Sequence, residues 1–171
     1  VPTKVAVDVH YEGEFAYAGA VLFDAWTDAE PVAVQELRRT VPAEYRPGHF
    51  FERELPCILP LIVACMAAHP IETIVVDGYV DLGPSHPGLG RVLFEALERK
   101  VAVIGVAKTA FFGAPSREVL RGESKKPLLV TSTGDLDEAA RAIETMAGPY
   151  RVPYLLRRVD QLVRKAAEPA A

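Results

Sequence analysis

The stretch "FFERELPCILPLIVACMAAHPIETIVVDGYV", residues 50–80, reads in two halves. From Cys57 to Ala68 every residue is apolar, as in a buried helix, and the run is too short for a membrane span. Pro56 falls in or near the first turn, where a missing N–H is tolerated, while Pro60 predicts a kink or a later start. From Ile71 the pattern changes to a β-branched run, as expected of a central strand covered on both faces. Charges stand at the edges of both halves: Glu52, Arg53 and Glu54 before the helix, and Asp77 at the strand end. A charge there costs free energy unless something pairs with it. The helix mouth is therefore either a solvated start or the place where a carboxylate is held for chemistry.

Working outward gives the fold class. "KVAVDVHY" (4–11) reads as a strand, a turn follows at Gly13, and a second strand carries Tyr17 and Val21. Val32–Val34 marks a third, and the short links predict an antiparallel meander. Beyond the central strand come a helix (90–100), a buried strand "VAVIGVAKTA" (101–110), a long polar link (113–126) and a strand "KPLLVTST" (126–133). A helix at 135–148 has an acidic first turn and Gly148 at its end. A basic amphipathic helix at 153–168 closes the chain, with residues 166–171 expected to be a loose tail. The order predicts one α/β domain over residues 1–171, a mixed sheet flanked by helices, which is the order of a ribonuclease H-like fold.

The 171 residues are half hydrophobic, which excludes a disordered chain. A net charge of −4 gives no global attraction to nucleic acid, so a local basic patch or a bound metal would have to supply it. Arg157 and Arg164 fall two turns apart on one helix face, flanked by Arg158 and Lys165; they meet phosphates or form a solvated face. Cys57 and Cys65 read as buried free thiols. With no membrane span and nothing resembling a signal peptide, the expected setting is cytoplasmic. Oligomeric state is left open.

Three carboxylates stand where stability does not ask for them. Asp8 interrupts a run of valines, Asp77 ends "IVVD", and Glu54 sits at the helix mouth. Aspartate is poor in an apolar strand. Either the two aspartates cap turns, or all three converge on a divalent cation, since Mg²⁺ takes oxygen ligands from one or two carboxylates, water and substrate phosphate.

In the same order along the chain, "VAVDVHY", "YRPGHFFERELP", "VVDGYVDLGPSHPGLG", "VIGVAKTAFFG" and "PLLVTSTGDLDEAARAI" resemble the segments of the endonuclease V family. That resemblance covers most of the chain. It implies a nuclease that cuts DNA or RNA near a deaminated base (inosine), in DNA repair, using Mg²⁺ or Mn²⁺. By the same resemblance Asp8, Glu54 and Asp77 are the metal carboxylates, and Lys108 steadies a phosphate or the attacking water. Tyr45 matches the wedge beside the damaged base, where a ring can stack. Gly78, Tyr79, His86 and Arg157 are the further candidate nucleic-acid contacts.

The sequence also departs from the family. Tyr79 and Val80 replace a histidine and a glycine after the strand aspartate. A histidine after the last strand is missing, and Asp135 stands at or near its place, as a fourth metal ligand or as the cap of the next helix. The family's usual helical segment before the first strand is not expected here. These changes keep two alternatives open: a catalytically degenerate module that binds nucleic acid or protein, and a nuclease with a different nucleic-acid substrate.

Overall fold

The computed structural model describes residues 2–41 and 51–169, the side chain of Phe51 excepted. The meander is present as β1 (Thr3–Glu12), β2 (Phe15–Phe23) and β3 (Ala33–Thr40). Then come α1 (Phe51–Ala68), β4 (Ile71–Asp77), the small hairpin β5 (Asp81–Gly83) and β6 (His86–Pro87), and α2 (Leu89–Ala96). The chain ends with β7 (Ala102–Ala107), β8 (Arg117–Val119), β9 (Leu128–Ser132), α3 (Leu136–Thr145) and α4 (Tyr154–Ala166). Seven strands form one mixed sheet in the order β3-β2-β1-β4-β7-β9-β8. β1, β4 and β7 run parallel, and the other ladders are antiparallel. This is the ribonuclease H-like α/β arrangement that the element order predicts. Among the described residues no helix is long and apolar enough to cross a membrane.

Period-2 alternation divides the sheet into two cores. Val5, Val7, Ile74, Val76 and Val103 face α1 and α2, which contribute Ile58, Ile62 and Leu93. Ala6, Val75, Ile104, Val106 and Val130 face α3 and α4, which contribute Ile143, Leu155 and Val159. Cys57 and Cys65 are buried free thiols within the first core.

α1 runs unbroken through both of its prolines. Pro60 has no N–H to give to the carbonyl of Pro56, one turn earlier. The Arg39 guanidinium on β3 donates to that carbonyl at 2.6 Å. A side chain from the neighbouring strand thus satisfies the backbone group that the second proline leaves open.

Several boundaries differ from the sequence reading, each for a physical reason. β3 continues past Val34 to Thr40 because an edge strand, wet on much of its surface, needs no apolar pattern. β4 stops at Asp77, and Gly78 turns the chain at φ 118°, so "YV" is not strand. The link read as wholly polar contains β8, an edge strand carrying Arg117 and Glu118 outward and Val119 inward.

Candidate active site

The sheet register aligns three of the expected side chains. Ala6 on β1 pairs with Val75 on β4, and Asp77 pairs with Val106 on β7. Two residues on from Ala6 and Val75 are Asp8 and Asp77, and two on from Val106 is Lys108. All three therefore leave the same face of adjacent parallel strands, Asp77 and Lys108 at or just past the carboxyl ends of β4 and β7 and Asp8 in the middle of the longer β1, at the end of the parallel ladder where open sheets of this kind bind ligands. β4 pairs with β1 only as far as Val75, so Asp8 has no ladder partner on β4.

Asp8, Asp77, Lys108 and Asp160 line one cavity of about 40 Å³, floored by Val75 and Val106. That is room for about one water or ion. Asp160 comes from α4, and its carboxylate also accepts from Arg164 Nε at 3.0 Å. Glu54 is not among the lining residues. It approaches from α1, on the opposite layer, and is coupled to Asp77 and Asp8 through charge.

The electrostatics are those of crowded anions at a partly covered end of the sheet, where Asp8 and Glu54 are half-buried and Asp77 is exposed at its tip. Burial, then the Asp77 charge, pushes Asp8 up to about 7. Burial, then Asp77 and Asp8, pushes Glu54 up to about 7. Burial also raises Asp77, which Lys108 pulls back down and Asp160 pushes up. Lys108 is thus the cation that acts on this group from inside the cavity. Arg53 opposes the rise of Glu54, and its guanidinium lies 4.1 Å from the centre of the Tyr11 ring. The Tyr11 hydroxyl and Arg53 Nε are buried with no hydrogen-bond partner among the described residues.

This donor set suits a hard divalent cation. It is all oxygen, it is anionic, and its proton affinities are raised because too little positive charge faces it. Among the described residues no three acidic, histidine or cysteine side chains are drawn together into a finished ligand cage. The match is therefore one of chemistry and charge, at one end of the sheet.

The other sequence candidates are placed as follows. Asp135 is the N-cap of α3, its Oδ1 accepting from the Glu138 amide at 2.9 Å, and it does not line the cavity. Of the two readings left open for it, the structure shows the helix cap. Asp135→Ala is expected to cost about 1 kcal/mol of stability in urea unfolding; unchanged stability would show that the cap contributes nothing. Gly78 donates its N–H to Val106 O at 2.9 Å. Tyr79 is buried, its hydroxyl donating to Thr109 O at 2.7 Å and its ring meeting Phe111. His86 lies exposed on β6, away from the cavity, in a groove shared with Asp81 and Arg91. Tyr45 lies outside the described residues.

The basic residues of α4 do not form one phosphate-facing stripe. Arg157 lies over the ring of Tyr150, Arg158 reaches Glu30 at 3.5 Å, and Arg164 pairs with Asp160.

Sequence reasoning missed Asp160. The signal was present: Leu155, Leu156, Val159, Leu162 and Val163 make the apolar stripe of α4, and Asp160 interrupts it. An acid inside an apolar stripe is the helical counterpart of Asp8 inside a valine run.

Comparison with known proteins agrees with this geometry. A sequence model of the family described as endonuclease V matches residues 2–136. The chain is 32% identical over 189 residues to an endonuclease V of Rhodospirillum centenum, covering 94% of this chain and 76% of that protein. It is 34% identical over 192 residues to an endonuclease V of Streptomyces avermitilis, covering 96% and 80%. The crystal structure of endonuclease V from Streptomyces avermitilis superposes with a TM-score of 0.73 at 30% identity, over 96% of this chain and 80% of that one. Endonuclease V of Ciona intestinalis, crystallised with a 24mer DNA containing an inosine followed by a ribo-adenosine, shares the fold with a TM-score of 0.82 at 17% identity, over 96% of this chain and 85% of that one. With a family match over most of its length and relatives that cover nearly all of it, the chain belongs to the endonuclease V family, nucleases that act on nucleic acid.

Proposed function

We propose that this protein is a metal-dependent endonuclease that hydrolyses a phosphodiester near inosine, a deaminated base, in DNA or RNA, in the service of repair. The observation that carries the reading is the cluster of Asp8, Asp77, Asp160 and Lys108 around one small cavity, with Glu54 coupled to it. Asp8, Glu54, Asp77 and Asp160 would hold Mg²⁺ or Mn²⁺. When bound, such an ion supplies charge for the developing phosphate oxyanion and a more acidic water.

The chain's own groups have definable tasks. Lys108, already acting on Asp77 and Asp8, places an ammonium where a phosphate oxygen gains charge. Without the cation, burial and then the Asp77 charge push Asp8 and Glu54 up to about 7; as ligands they would be held ionised by the bound cation. The apolar floor, Val75 and Val106, lowers the local polarity and strengthens those charge interactions. Gly78 and Tyr79, which follow Asp77 directly, would meet the nucleic acid beside the bond to be cut. Tyr45 would supply the stacking wedge, Arg157 would meet the flanking nucleic acid, and His86, in the separate groove with Asp81 and Arg91, would contact it farther from the cavity.

Inosine is proposed from the resemblance to the endonuclease V family and from the Ciona protein's complex with inosine-containing DNA. A second reading, a nuclease with a different preferred base, is favoured by one observation. The Tyr79 hydroxyl is committed to Thr109 O and so is occupied rather than offered to a base.

Cleavage of inosine-containing and matched plain oligonucleotides, as DNA and as RNA, with Mg²⁺ or Mn²⁺, separates the two. Preference for the inosine strand by about tenfold or more supports the first reading. Equal cutting of both strands supports the second, and no cutting of any strand leaves a binding module.

A further inference from the structure

The chain segment that contributes Val152 and Leu156 to the cavity also carries exposed side chains that the cleavage chemistry does not use. Tyr150 and Tyr154 are 53% and 41% exposed, and their rings meet edge-on with centroids 6.3 Å apart. The Arg157 guanidinium lies 5.3 Å from the centre of the Tyr150 ring. On the same segment Val152, Leu156 and Asp160 line the cavity. Residues of one stretch of chain thus interleave in sequence, some lining the cavity and others forming this exposed aromatic group.

The segment is also held in advance. Buried Arg121 donates to the backbone carbonyls of Ile143, Glu144, Met146 and Gly148. The Tyr154 ring closes over Gly148, where an added methyl group would stand 3.1 Å from it. Arg151 donates to Lys108 O and to Pro127 O, which ties the aromatic group to the strand end that carries Lys108. A platform fixed in this way pays little ordering entropy when a ligand settles on it.

We propose that Tyr150, Tyr154 and Arg157 form a stacking subsite for an unpaired nucleobase of the strand that enters the cavity. The proposal rests on the nuclease reading, since it takes the ligand to be nucleic acid. A base presents a flat π face, and aromatic rings hold such faces whatever the sequence. Arg157 adds a cation that can lie on a ring or meet the neighbouring phosphate. A protein segment covering the same rings would not need the base, and the test separates the two.

The measurement is fluorescence anisotropy in an Asp77→Asn background with Mg²⁺, which avoids cutting. The probes are a labelled single strand containing inosine and a strand of equal length whose flanking bases are replaced by abasic sites. The parent is expected to bind the base-bearing strand about tenfold more tightly. Tyr150→Leu, which keeps apolar bulk at an exposed position, should lose that preference, and Tyr150→Phe should keep it. Tyr150→Leu with the parent's full preference, or with an equal loss on both strands, would overturn the subsite. Cleavage by the protein with Asp77 intact is measured in parallel. Cutting without any effect of Tyr150→Leu removes the subsite and leaves the nuclease reading standing; neither cutting nor binding removes both.

Discussion

Asp77→Asn is expected to lower cleavage by at least about a hundredfold while making the cation-free protein more stable. The loss follows because replacing a group that merely orients a metal ligand already costs about 10–100-fold. The gain follows from the charge map. Asp77 is the largest charge acting to raise both Asp8 and Glu54, after burial itself. An amide of the same shape removes that repulsion, worth roughly 1–2 kcal/mol. Cleavage assays beside urea unfolding in EDTA check both halves. A variant that loses activity and stability together would show that Asp77 serves folding, and a variant that still cuts would remove it from the centre.

Without divalent cations, stability is expected to fall between pH 4 and pH 8. Asp8 and Glu54 start from ordinary carboxyl values of 3.8 and 4.5 and are both pushed up to about 7 in the fold, by burial first and by Asp77 next. A carboxyl raised in this way holds its proton more tightly when folded. Its stabilising contribution is complete below the unfolded pKa and is lost as pH rises through about 7. The combined loss is a few kcal/mol in order of magnitude. Metal binding needs the ionised forms, so Mg²⁺ or Mn²⁺ should raise the melting temperature at pH 8 more than at pH 5. Asp8→Asn should flatten both dependences. Equal Mg²⁺ effects at the two pH values, or a wild-type profile no steeper than that of Asp8→Asn, would contradict the assignment.

The parts of the fold legible in the sequence are those with one cause. The strands β4 and β7 announce themselves by buried β-branched runs, and β1 and β9 by shorter apolar ones. α1 was readable as a helix, yet its continuity through Pro60 was not. That depends on Arg39, seventeen residues before Pro56 in the chain, reaching the freed carbonyl. The second half of β3 and all of β8 were hidden because edge strands are specified by pairing rather than by apolar pattern. α2 stops at Ala96 instead of running to Lys100, since Glu98 and Arg99 take positive φ values of 56° and 60°. No glycine marks that end.

The site divides along the same line. Asp8 and Asp77 were legible because an acid in a valine strand contradicts its surroundings, and Glu54 because the family motif frames it. Asp160 required the packing of α4 over the sheet, which brings a residue 83 positions after Asp77 to the same cavity (160 less 77). Asp135 attracted attention from its place in the chain, yet its local sequence, an acid three residues before Glu138, already contained the capping bond that the structure shows.

The centre stands or falls on four carboxylates acting through a divalent cation. The most direct measurement is cleavage of an inosine-containing oligonucleotide by the wild type, Asp77→Asn and Asp160→Asn, each with Mg²⁺ and with EDTA. Cutting by the wild type only, and only with Mg²⁺, is the predicted result. Undiminished cutting by Asp160→Asn, or wild-type cutting that persists in EDTA, would contradict it.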